Sequence, residues 1–250
     1  MSVASSNAVH LAVHDLGGTG PTLLMSHATG FHGRCYLPMA HVLSNRYHSV
    51  AFDYRGHGDT PMPAGVAVSW DRYGDDAFAM ASWLDGPVHA FGHSMGGACL
   101  LMAAHRDPDL FDRLVVFEPI VYPLDRERDP STPSPLVVGA RRRRAVFPSY
   151  EDAIANYSGK PPLNAFTPEA LDAYVRFGFA LAEDGQVHLK CAPETEAQTF
   201  EQGPFHGTWD LLPDIETPVL VVAGRVEEMQ PSNIASVSYT HLTLPTIYSV

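Results

Sequence analysis

The sequence predicts an α/β fold in which helices flank a mostly parallel sheet. Three observations support it: short runs of strand length are continuously apolar, segments with helical spacing separate these runs, and the two alternate along the chain. Strands buried on both faces and joined by helices are typical of parallel sheets. The 250 residues suffice for one large core, or for a core with a smaller insertion.

The alternation can be followed element by element. Residues 9–15 alternate apolar and polar positions and predict the first strand, and the glycine-rich residues 17–20 predict a hairpin loop after it. Buried strands are expected at residues 21–26, 48–53, 88–91 and 114–117. Helical spacing occurs in residues 36–43, 70–84 and 98–105. This order is typical of βαβ units.

The composition and hydrophobic pattern of the sequence change at about residue 122. Proline and charged residues replace the short apolar runs, helical periodicity follows, and no strand of the earlier type returns before residues 218–223. We therefore predict a helical cap, residues 122–205, inserted into a core formed by residues 1–121 and 206–231.

Charge and cysteine content exclude several classes of function. The formal net charge of −12 argues against nucleic acid as a partner, because phosphate binding needs clustered Lys and Arg, and it predicts weak attraction to anionic membranes. Cys35, Cys99 and Cys191 lie far apart without metal-ligand spacing. The sequence shows no secretory leader, no run of ~18 apolar residues and no phosphate-cradling loop. We expect a cytoplasmic protein that binds no membrane and needs neither metal nor cofactor.

The segment Gly92-His93-Ser94-Met95-Gly96-Gly97 has the pattern of a nucleophile elbow, in which a strand turns abruptly into a helix. Glycine is needed at positions 92 and 96 because a Cβ there would collide with neighbouring backbone. The serine hydroxyl then lies at a helix N-terminus, where the dipole favours developing negative charge. The pattern predicts Ser94 as a catalytic nucleophile. The alternative is a glycine-rich turn without catalytic function.

Acyl transfer also requires two backbone N–H groups directed at the tetrahedral oxyanion. We expect one from Met95, directly after the nucleophile, and the other from Thr29 in the loop of residues 27–33. Gly30 would keep this backbone approachable. The alternative interpretation is a structural turn.

Together these segments resemble the α/β-hydrolase fold superfamily, over about residues 9–231. The resemblance is carried by LLMSHATGFHG, VAFDYRGHGDT, VHAFGHSMGGA, LVVFEPIVYP and TPVLVVAG. It implies a cofactor-independent serine hydrolase that acts through Ser94 on a small-molecule ester, thioester, lactone or related acyl bond. It also implies that Arg55 and His57 are structural. A non-catalytic, ligand-binding member of the fold is the alternative function, and an inactive truncated fragment is another.

Such a hydrolase needs a histidine base oriented by a carboxylate. The resemblance implies Glu227, after the strand at 218–223, as the acid. Glu118, at the end of the strand at 114–117, is the alternative, and we favour Glu227. The family order places the histidine after one more strand, but no charged residue follows Glu228. We interpret residues 232–250 as a non-native tail, and expect the last strand and the base to be missing.

The alternative base is His241, which lacks the preceding glycine typical of the family and follows Glu227 closely. In the predicted cap, we interpret the basic run of residues 141–144 as a solvated helix face, with steering of an anionic substrate as the alternative. We interpret the aromatic residues of the cap as packing rather than pocket lining; they are Phe147, Tyr150, Tyr174, Phe177 and Phe179. The sequence does not indicate an oligomeric state.

Overall fold

A computed structural model describes residues 1–123 and 134–224 and the backbone of residues 248–249. In chain order these residues form eleven strands: β1 (Ser2–Ala4), β2 (His10–Gly18), β3 (Thr22–Ser26), β4 (His48–Phe52), β5 (Val88–His93), β6 (Phe111–Phe117), β7 (Val146–Phe147), β8 (Phe179–Leu181), β9 (Val187–Leu189), β10 (Val219–Ala223) and β11 (Tyr248–Ser249). They also form eight α-helices: α1 (Leu37–Leu43), α2 (Trp70–Trp83), α3 (Met95–Arg106), α4 (Pro135–Arg141), α5 (Tyr150–Ser158), α6 (Pro168–Gly178), α7 (Pro193–Gln202) and α8 (Thr208–Leu211).

The main sheet has eight strands in the order β1-β2-β4-β3-β5-β6-β10-β11. Every neighbouring pair from β4 to β11 is parallel, whereas β2 pairs antiparallel with both β1 and β4. This confirms the predicted α/β class with a mostly parallel sheet. The parallel strands bring their carboxyl ends to one edge, where loops can meet around a site.

The predicted hairpin after the first strand is wrong. The strand β2 lies beside β4, with Val13 opposite Phe52, and β3 lies on the far side of β4. The glycines of the turn serve another purpose. Gly18 and Gly20 have φ of +101° and +110°, and the backbone carbonyls of Tyr47 and Arg46 fill the space a Cβ would need. The turn therefore packs against the loop before β4.

Within residues 1–123 and 134–224, the two faces of the sheet are covered unequally. The main apolar core lies on one face, where α2, α3 and residues after α8 pack on alternate positions of the strands. The other face is covered by α1, which packs on β3 and β4. Farther along, Phe91, Val115 and Leu220 are only partly buried, although their chain neighbours are fully buried. A cavity of about 520 Å³ lies over this part of the sheet, beside α1.

The segment between β6 and α8, called the insertion below (residues 134–205), contains α4 to α7, as the helical periodicity indicated. It also contains a three-stranded antiparallel sheet in the order β7-β9-β8, which was not predicted. These strands have only two or three residues each, too few to display alternation. The exact limits of the cap remain a prediction.

Beyond β10 the sheet continues for two residues, where Tyr248 pairs with Val222 and Ser249 with Ala223. We expected no strand at this edge. The difference has a simple reason, because the free backbone groups of β10 can pair with any extended segment. Glu227 and His241 lie outside the described residues. Among the helices of the described ranges, none is long and apolar enough to cross a bilayer.

Candidate active site

Ser94 lies between the end of β5 and the start of α3. Its φ of +54° falls in a region that residues other than glycine rarely occupy. The surrounding backbone holds it there, because Ser94 N donates to the carbonyl of Phe117 at 2.8 Å and Ser94 O accepts from Ala98 N at 3.2 Å. The strained turn leaves the serine partly exposed. It is the sharp strand–helix turn that the motif predicts.

The glycines around Ser94 are required for steric reasons. A Cβ on Gly92 would lie 2.7 Å from the backbone of Gly97, and one on Gly96 would collide with the carbonyl oxygen of Ser26. The start of α3 is therefore pressed against the end of β3. The pairing of Ser26 with Gly92 places the loop after β3 directly beside the elbow.

The predicted oxyanion donors lie on these two adjacent segments. Met95 is buried and opens α3, so its N–H has no acceptor within the helix. Thr29 is buried within a tight turn closed by a 3.0 Å bond from Phe31 N to the carbonyl of Ala28. Gly30 has φ of +75° in this turn. The loop and the elbow are thus brought together, as predicted; the role of these N–H groups remains a proposal.

His27 anchors the loop of residues 27–33. Its Nε2 accepts from Tyr54 N at 3.0 Å, and its Nδ1 donates to the carbonyl of Ala28 at 2.8 Å. Complete burial is the main cause that lowers the pKa of His27 to about 3, and the charge of the nearby His57 is the second. Both ring nitrogens are occupied by backbone groups. His27 is therefore a neutral structural residue that ties the loop to the turn after β4.

The interpretation of Arg55 as structural agrees with its contacts. Its guanidinium is fully buried and bonds Asp76 in α2 at 2.6 and 2.9 Å. Nearby, His14 and Asp59 surround Asp53 closely enough to suggest a metal site. The oxygens of Asp53 already accept bonds from Gly33 N, Asp59 N and the His14 ring, at 2.7 to 2.8 Å. This cluster therefore braces the loop.

Glu118 follows β6 next to the elbow. Ser94 bonds the backbone on both sides of it, through Phe117 O and Ile120 N. Its φ is +47° and its backbone N–H donates to Val222 O at 2.9 Å. One carboxylate oxygen accepts from Gly224 N at 2.6 Å, and the other, also buried, has no hydrogen-bond partner in the described part of the chain. Burial raises the pKa of Glu118.

His93 is not positioned as a base for Ser94. Its Nδ1 is 3.1 Å from the hydroxyl of Tyr36, and its ring packs against Phe31 and Phe117. Burial lowers its pKa to about 4. Within residues 1–123 and 134–224, no histidine ring is hydrogen-bonded to the Ser94 hydroxyl. The histidine base remains a prediction.

The basic run of residues 141–144 does not behave as one solvated face. Arg141 is exposed and pairs with Glu194 and Glu201. Arg143, in contrast, has a side chain only 14% exposed and pairs with Glu196. The interpretation is wrong for Arg143 because its partners come from elements that the sequence does not connect. Glu196 is 53 residues away, and no spacing rule could have revealed the pair.

Four of the five aromatic residues pack in one cluster of the insertion, as interpreted. The interpretation is wrong for Phe177, which lines a cavity of about 1060 Å³ and packs against His32 and Arg34. Phe147, Tyr174 and Phe179 are fully buried in the cluster. Tyr174 also contacts Phe31 of the loop after β3, with ring centroids 5.3 Å apart. Phe31 lies 5.8 Å from His93 by the same measure. An aromatic path thus joins the insertion to the elbow.

Comparison with known proteins agrees with this geometry. A family model described as serine aminopeptidase, S33, matches residues 20–242. The chain is 26% identical over 244 residues to the magnesium-chelatase 30 kDa subunit of Rhodobacter capsulatus, covering 91% of this chain and 78% of that one. It is 24% identical over 234 residues to 2-(acetamidomethylene)succinate hydrolase of Mesorhizobium japonicum, covering 92% and 80%. A further match at 33% identity spans only 42% of the relative.

Solved structures show the same fold. The crystal structure of E-2-(acetamidomethylene)succinate hydrolase superposes with a TM-score of 0.78 at 22% identity, covering 99% of this chain and 90% of that one. Identity at this level establishes only the architecture. The names of these proteins describe their own substrates and do not assign a substrate to this chain.

Proposed function

Because the chain belongs to the serine aminopeptidase (S33) family of α/β hydrolases, we propose that it is a cofactor-independent serine hydrolase. Its substrate would be a small-molecule ester, thioester, lactone or related acyl compound, cleaved through an acyl-enzyme. The single observation that carries the proposal is the strained backbone of Ser94 at the first turn of α3. Strain of this kind costs about 1–3 kcal/mol and persists where the surroundings impose it, typically at functional sites.

In the proposed reaction the Ser94 hydroxyl attacks the substrate carbonyl. The oxygen of the tetrahedral intermediate becomes negative and accepts hydrogen bonds from the backbone N–H groups of Thr29 and Met95. The positive end of α3 adds to this stabilisation. The acyl group is then bound to Ser94, and water releases it in a second step.

The proton of Ser94 must pass to a histidine and then to the leaving group. Between the two acid candidates we now favour Glu118. A buried carboxylate oxygen without a partner is unfavourable, and a donated imidazole N–H would satisfy it. The position of Glu118, between two backbone groups bonded to Ser94, supports the same role. Glu227 remains the alternative acid and His241 the alternative base.

The test is covalent labelling with a fluorophosphonate probe, with hydrolysis of p-nitrophenyl acetate as a second readout. We expect the label on Ser94, mapped by peptide mass spectrometry. Ser94→Ala should abolish labelling and lower turnover by at least about 10³-fold. Ser82→Ala, which changes an exposed serine of α2, is the matched control and should behave as wild type. Labelling that survives Ser94→Ala would refute the proposal, and ligand binding without labelling would favour a binding protein.

A further inference from the structure

A buried ionic network in the insertion faces the loop of residues 27–33, called the oxyanion loop below because of its proposed role. Glu196 is only 7% exposed, and Arg143 Nη1 bonds its two carboxylate oxygens at 2.8 and 2.7 Å. The remaining guanidinium nitrogens bond the hydroxyls of Tyr157, at 3.2 Å, and Tyr174. Four side chains from separate elements of the insertion therefore hold one another in fixed geometry.

The network contacts the oxyanion loop at two consecutive residues. The Glu196 carboxylate fills the space that a Cβ on Gly30 would occupy, and Arg143 Nη1 lies 3.2 Å from the same point. At the next residue, the Phe31 ring packs against Tyr174, which bonds Arg143. The turn that presents the Thr29 N–H is therefore held from above by a single network.

The charges of the network matter for the proposed reaction. A buried carboxylate next to a developing oxyanion would repel it, but the ion pair with Arg143, whose Nη1 donates to both carboxylate oxygens, neutralises Glu196. Removing the guanidinium alone would leave an unpaired negative charge beside the loop. Removing the carboxylate alone would leave a cation, which an oxyanion tolerates. Loss of Arg143 should therefore slow the proposed reaction more than loss of Glu196.

We infer that Glu196 and Arg143 are positioning residues that fix the oxyanion loop of this hydrolase from the insertion, without touching the reacting atoms. This inference rests on the proposed function. It assigns the insertion a direct influence on turnover, in addition to any part in enclosing the substrate.

The test compares Glu196→Gln, Arg143→Gln and the double variant, using kcat and KM for p-nitrophenyl acetate. We expect kcat to fall about 10-fold in Glu196→Gln and about 100-fold in Arg143→Gln, with KM changed by less than about 3-fold. In the double variant kcat should recover at least about 5-fold relative to Arg143→Gln, because the unpaired carboxylate is gone. Arg143→Lys, which keeps the charge, should lie between wild type and Arg143→Gln.

Arg141→Gln is the matched control, since it breaks an exposed Arg–Glu pair in the same basic run. It should leave kcat and KM unchanged. Amide hydrogen exchange of residues 27–33 provides a readout independent of turnover: it should quicken in Arg143→Gln and Arg143→Lys, and not in Arg141→Gln. Unchanged exchange in a folded Arg143 variant, or no recovery in the double variant, would overturn the inference. If the wild type neither reacts with the probe nor hydrolyses the ester, but exchange of residues 27–33 still quickens in the Arg143 variants, only the proposed function is refuted.

Discussion

His27 and Ser94 on one side of the carboxyl edge of the sheet, and Glu118 on the other, differ in how far their polar groups are satisfied. On the nucleophile side, at the ends of β3 and β5, His27 has a partner on both ring nitrogens and the Ser94 backbone is bonded in both directions. On the acid side, at the ends of β6 and β10, Glu118 has one oxygen without a partner in the described chain. The groups around Ser94 are satisfied by neighbouring segments of the described chain, whereas the second oxygen of Glu118 finds no partner there.

The largest expected effect tests the acid side directly. Glu118→Gln keeps the shape and the bond to Gly224 but cannot stabilise an imidazolium, so kcat should fall by about 10³- to 10⁴-fold with the fold intact. Steady-state kinetics with p-nitrophenyl acetate measures this. Glu227→Gln is the companion variant and should change kcat little. The reverse pattern would return the acid role to Glu227.

The next effect tests the nucleophile side. Gly96→Ala drives a Cβ into the carbonyl of Ser26, which is backbone and cannot move aside cheaply. We expect the free energy of unfolding to fall by about 3 kcal/mol, measured by urea denaturation. Gly139→Ala, in α4 where no atom lies within 4 Å of the new Cβ, should instead gain about 0.5–1 kcal/mol. Equal effects of the two substitutions would contradict the steric argument.

The smallest effect distinguishes the two sides by pH. Burial lowers the pKa of His27 to about 3 and of His93 to about 4, so the unfolded chain takes up protons first as the pH falls. Their stabilisation is complete above about pH 6.5 and is lost below it, by about 1–2 kcal/mol per ring between pH 7 and 5. Glu118, whose pKa is raised, acts in the opposite direction.

Urea denaturation at pH 7 and pH 5 checks this expectation. His93→Gln removes one titrating ring and should reduce the loss of stability on acidification. A slope equal to that of wild type would show that His93 is not held neutral. Glu118→Gln should increase the loss as the pH falls toward the raised pKa of Glu118, because the folded chain then loses a carboxyl that binds its proton more readily than in the unfolded chain.

The parts of the molecule that are encoded locally could be predicted from the sequence. The elbow is recognisable from Gly92, Gly96 and Gly97 around Ser94, although one steric reason for Gly96, the carbonyl of Ser26, lies on a distant strand. The parallel strands could also be predicted, because each is a continuous apolar run. The pairing of β2 with β4 could not be predicted, since a glycine-rich turn has the same sequence pattern before a hairpin and before a crossover.

Features that depend on distant pairs could not be predicted. Arg143 looks like its neighbours in the basic run until Glu196 and two tyrosines surround it. The choice between Glu118 and Glu227 depended on an oxygen without a partner, which only coordinates reveal. Burial and hydrogen-bond satisfaction are properties of three-dimensional neighbours.

The unequal covering of the sheet also affects the heat capacity of the protein. Unfolding raises heat capacity in proportion to the apolar surface newly exposed to water. Phe91 and Val115 are only partly buried and line the cavity beside α1, so they contribute less to that rise than side chains packed beneath α2 and α3. We therefore expect a flatter curve of stability against temperature than for a sheet of this length enclosed on both faces. We also expect cooling to weaken this fold less than its apolar content alone would suggest.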